Sequence, residues 1–71
     1  MEKNHIKASY IKTMDFIFED VVILDVKDEW QLMNKIKNNE VIRIINEDIL
    51  EYINSSYIMY YKLKNEGNDN E

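Results

Sequence analysis

Few side chains in this 71-residue chain could do covalent chemistry, and their spacing argues against it. The alkoxide candidates are Ser9, Thr13, Ser55 and Ser56, and the one imidazole belongs to His5. A serine nucleophile needs a base within hydrogen-bond reach and a third group to orient that base. A single histidine in a polar opening segment does not suit that arrangement, and a solvated surface imidazole is the expectation. With no cysteine, thiolate catalysis, disulfides and thiolate zinc sites are excluded, and one histidine cannot build a multi-histidine metal centre. One glycine is too few for a phosphate-cradling loop or a nucleophile elbow.

The carboxylates fall in groups: Glu19 with Asp20, Asp25 with Asp28 and Glu29, and Glu47 with Asp48 and Glu51. Paired carboxylates can move protons or hold a hard cation through oxygen. No group has the spacing of a calcium loop, and turns, helix capping and solubility account for them. No catalytic residue, metal or cofactor is expected, and the chain reads as not an enzyme.

What remains is binding. Residues 49–64 hold four of the five tyrosines together with Ile49, Ile53, Ile58 and Met59. Such a run must be buried, paired or docked. As a strand over 57–63 it would turn Tyr57, Met59, Tyr61 and Leu63 to the core, leaving Ile58 and Tyr60 on the other face beside Lys62 and Lys64. Tyrosine is enriched at interfaces, so Ile58, Tyr60 and Lys62 are candidate partner-binding residues. Trp30 joins them as a core residue or an interface anchor. Exposed tyrosines can also stack on bases, with Lys62, Lys64 and Arg43 supplying charge. That use is disfavoured by the net charge of −5, from 14 acidic and 9 basic residues.

The elements that position these residues follow from pattern and punctuation. Residues 21–26 alternate as a strand with apolar residues on both faces, which suits a central or covered strand. Residues 16–18 are a second strand, joined to the first by a hairpin turn at Glu19 and Asp20; one long bent strand competes with that reading. Residues 28–38 are a helix, with Asp28 as N-cap, Gln31 at capping-box spacing, and a stop at Asn38 and Asn39. Residues 41–45, 49–53 and 57–64 read as a three-stranded meander with turns at 46–48 and 54–56. A single helix over 49–64 is the alternative for the tyrosine run. Residues 1–9 read as polar and frayed at the start, and 65–71 as a disordered acidic tail.

The fold class is therefore α+β: one small antiparallel sheet of about five short strands with one helix, in the order β-β-α-β-β-β, within residues 1–64. A barrel-like β module is the near alternative, and a mostly helical hairpin the third. A chain this short buries only about 60% of its unfolded surface. Self-association or a protein partner would supply further stability. The opening residues lack a secretion signal and no apolar run approaches a membrane span, so a cytoplasmic, membrane-free protein is expected. The Ile, Asn and Lys richness suits A+T-rich bacterial or phage coding sequence. The resulting expectation is a non-enzymatic protein-interaction module, such as a phage-derived regulator or inhibitor. A small-ligand or nucleic-acid binding module with a tyrosine-rich sheet face is the alternative.

Overall fold

The structure, a computed structural model, describes residues 4–64. The acidic segment 65–71 and the first three residues lie outside the described residues. Five strands and one helix follow in the expected order: β1 (His5–Thr13), β2 (Ile17–Leu24), α1 (Glu29–Lys37), β3 (Val41–Asn46), β4 (Ile49–Asn54) and β5 (Ile58–Leu63). A three-residue 3-10 turn, Ser55–Tyr57, separates β4 from β5. All strand pairs are antiparallel, in one sheet of order β4-β3-β2-β1-β5.

That order corrects the expected meander. β5 leaves β4 and pairs with β1, so β4 and β5 are the two edges of the sheet. A flat five-stranded sheet would hold its edges about 19 Å apart. Three residues of 3-10 helix rise only about 6 Å. The sheet must therefore curl until the end of β4 approaches the start of β5, which gives a barrel-like outline. Non-local apolar contacts favour this over the local hairpin: Tyr61 pairs with Ile11 and Leu63 with Ala8, and Ile58, Tyr61 and Leu63 all pack on the core.

The first hairpin is also relocated. Glu19 and Asp20 lie inside β2, so the competing bent-strand reading holds there. The turn is at Met14 and Asp15, and β1 begins at His5, inside the segment expected to be polar and frayed. The bend is at Asp20, whose φ is 53°. Across it both strands switch faces. Ala8 opposite Val21 and Ile11 opposite Phe18 all point inward although their parity changes between the pairs. Asp25, with φ 67°, makes a second switch and turns Val26 into the core, away from the side of Val22 and Leu24.

The inner face carries the core: Ala8, Ile11, Val21, Ile23, Ile42, Ile44 and Ile53, closed by Val26 and by Leu32 of α1. The helix is capped as its sequence implies. The Asp28 carboxylate accepts from the Gln31 backbone N–H at 3.0 Å. The Gln31 side chain accepts from the Lys27 N–H at 2.8 Å, one residue ahead of the usual capping-box target. At the other end Asn39 takes the left-handed conformation, φ 56°. The Asn39 and Glu40 N–H groups donate to the carbonyls of Ile36 and Lys35, the paired bonds of a Schellman stop. Ser55, fully buried, ties this helix end to the 3-10 turn through its N–H to the Glu40 carbonyl.

Candidate functional site

The curled sheet leaves an opening beside its β4 edge. That opening is a groove of about 480 Å³, with the β1–β2 hairpin end on one side and β4 on the other. The hairpin contributes Thr13, Met14, Asp15, Phe16 and Phe18; β4 contributes Glu51, Tyr52, Ile53 and Asn54; Val41 and Tyr57 complete the lining.

The hairpin wall is built by Thr13. Its buried hydroxyl donates to the Phe16 carbonyl at 3.1 Å and accepts from the Phe16 N–H at 3.0 Å. The Thr13 N–H also reaches the Phe16 carbonyl, at 2.8 Å. These bonds fix the turn and leave Phe16, 64% exposed, beside Phe18 with ring centres 6.0 Å apart. The Met14 N–H donates to the Tyr57 carbonyl at 3.1 Å and so locks the hairpin end to the 3-10 turn. Asn54 in turn caps that turn, its side-chain oxygen accepting from the Ser56 N–H and hydroxyl. The groove is thus hydrogen-bonded along its frame, while Phe16, Tyr52 and Tyr57 stay open to solvent and Phe18 packs on the core. Tyr57, expected in the core, is 55% exposed and belongs to this lining.

The four residues singled out from sequence lie elsewhere. Trp30 is the second residue of α1 and 69% exposed, so it is not core. Ile58 is separated from Tyr60 and Lys62: an irregularity at Met59 shifts the register, and Ile58 turns inward onto the core. The same shift exposes Met59, which the alternation had placed inward. Tyr60 and Lys62 do share the outer face, opposite Lys12 and Tyr10. The rings of Tyr10 and Tyr60 meet edge to face at 5.7 Å. Tyr61 points inward as expected, and its hydroxyl donates to Glu29 at 3.3 Å. Burial, then the Glu29 carboxylate, push the Tyr61 phenol up from its ordinary value.

His5 belongs to β1, opposite Leu24. No cluster of three potential metal ligands occurs among the described residues. Asp25 is held by Arg43 through two hydrogen bonds of 2.7 and 2.8 Å, and these bonds keep its carboxyl below the usual carboxylate range. Among the described residues no helix is long and apolar enough to cross a membrane. No protein-family model, curated protein or solved structure matches the chain.

Proposed function

We propose that this protein is a non-enzymatic, cytoplasmic interaction module that acts by gripping a segment of a partner protein, or a second copy of itself, in the groove between the β1–β2 hairpin and β4. One observation carries this reading: a preformed concavity of about 480 Å³ in which Phe16, Tyr52 and Tyr57 stand exposed on a hydrogen-bonded frame. Rigid aromatic side chains give contact area at small entropic cost, and large exposed apolar patches mark interaction surfaces. A regulator or inhibitor of bacterial or phage origin fits such a device. Trp30, outside the groove, is a candidate secondary anchor.

Panning a random-peptide display library on the purified protein tests it. Enriched peptides are expected to bind wild type and to lose at least tenfold in affinity to a Phe16→Ala, Tyr57→Ala double variant that still melts cooperatively. Enriched peptides that bind the folded variant equally well would refute the reading.

A second reading has its own support. On the outer face Tyr10, Lys12, Ile17, Glu19 and Tyr60 line a smaller depression of about 190 Å³, and Lys62 pairs with Tyr10 beside it. Paired tyrosines flanked by lysines suit a stacked base or an aromatic anion. This reading requires salt-sensitive binding of a single-stranded oligonucleotide that Tyr60→Ala weakens; calorimetry showing no heat with oligonucleotides or nucleotides removes it.

A further inference from the structure

We infer that the free edge of β4 is a strand-addition site: an extended partner segment carrying lysine or arginine among apolar residues pairs with it as a sixth strand. This rests on the groove reading above and specifies its occupant.

The groove follows the edge of β4. Successive side chains of a strand point to opposite faces, so a pocket on one face touches alternate residues. Here Glu51, Tyr52, Ile53 and Asn54 all line it, which places the groove along the strand's side. Among the described residues that side is unpaired, since β4 pairs there only with β3.

The two edges of the sheet are treated differently. Natural edges are blunted by lysine, proline or bulges. β5 carries Lys62 and the irregularity at Met59. β4 carries neither lysine nor proline, is six residues long and exposes Ile49, Leu50 and Tyr52. It has the character of a template for pairing.

Charge selects the occupant. Between Arg43 and Lys62 the sequence has no basic residue, while Glu47, Asp48 and Glu51 lie on or beside β4. Asp15 adds a carboxylate on the opposite wall of the groove. Among the described residues no ion pair involves Asp15 or Glu51. A second copy is disfavoured here: full antiparallel pairing of β4 with itself sets each Glu51 opposite Tyr52 of the other copy, and β4 brings no basic residue to meet either carboxylate. A basic extended segment gains from both charge and backbone pairing.

The test uses three synthetic peptides: one alternating valine and lysine, the same sequence with glutamate for lysine, and the lysine peptide N-methylated at alternate backbone nitrogens. Binding is measured by calorimetry at low salt, and β4 amide exchange by NMR. The lysine peptide is expected to bind at least tenfold tighter than the other two, to slow exchange of β4 amides, and to weaken several-fold with Glu51→Gln. Equal affinity for the lysine and glutamate peptides, unchanged β4 exchange, or no lysine-peptide binding while a panned peptide still binds would overturn strand addition and leave the groove reading standing. Dimerisation through β4 would overturn it in favour of a second copy. Failure of both designed and panned peptides to bind would overturn both.

Discussion

Single side chains decide how the groove is held open. Thr13 is the clearest case, because one buried hydroxyl serves both the N–H and the carbonyl of Phe16. Thr13→Val keeps the shape and removes both bonds, leaving a part-buried N–H without that partner. A loss of about 1–2 kcal/mol is expected, read from the shift in urea midpoint. Peptide affinity should fall with it, since Phe16 loses its anchor. Asp25 gives a pH prediction. Its folded-state pKa is lowered, chiefly by the Arg43 hydrogen bonds, so the stability it contributes is present above the ordinary carboxylate range. It is lost as pH falls through the depressed value. Asp25→Asn should therefore lower the urea midpoint slightly at neutral pH, with the two proteins converging in acid. The loss is small because the pair is half exposed.

At the scale of elements, the β3–β4 hairpin carries a built-in cost. Glu47 and Asp48 both have positive φ, 53° and 66°, as a two-residue type I′ turn requires. Glutamate is poorly suited to that conformation, whereas Asn-Gly is the favoured pair. Replacing Glu47 with Asn and Asp48 with Gly should raise stability by about 1 kcal/mol in thermal melts. An unchanged or lowered melting temperature would show that the turn geometry is not as described. The helix and this turn were legible because their signals are local: Asp28, Asn39 and the run from Asn46 to Asp48 act within a few residues of themselves. The face switches were not. Period-two reading assumes an unbroken strand, and Asp20, Asp25 and Met59 each break the alternation without a glycine to mark it. Ile58 consequently turns inward where unbroken alternation predicts the outer face.

For the molecule as a whole, composition and element order led to the right class, an antiparallel five-stranded sheet with one helix. They could not show which strand closes it, because β5 pairs with a strand some fifty residues earlier through apolar contacts that no local signal records. The groove exists only by virtue of that closure, so its residues were missed, apart from Tyr57, which was seen and placed in the core. The one available hint was Met14, Asp15 and Phe16 directly after Thr13, a hydroxyl residue suited to closing a tight turn on itself. The core is small enough that Ile44→Ala, which empties a fully buried site, should cost about 2–5 kcal/mol and leave little folded protein by circular dichroism.

The most direct measurement is an NMR chemical-shift map of the labelled protein titrated with a peptide selected on it. The expected result is perturbation concentrated at Phe16, Phe18, Tyr52, Ile53 and Tyr57. Shifts centred instead on Tyr10, Lys12, Tyr60 and Lys62, with the groove unmoved, would contradict the groove as the site of action and favour the outer face.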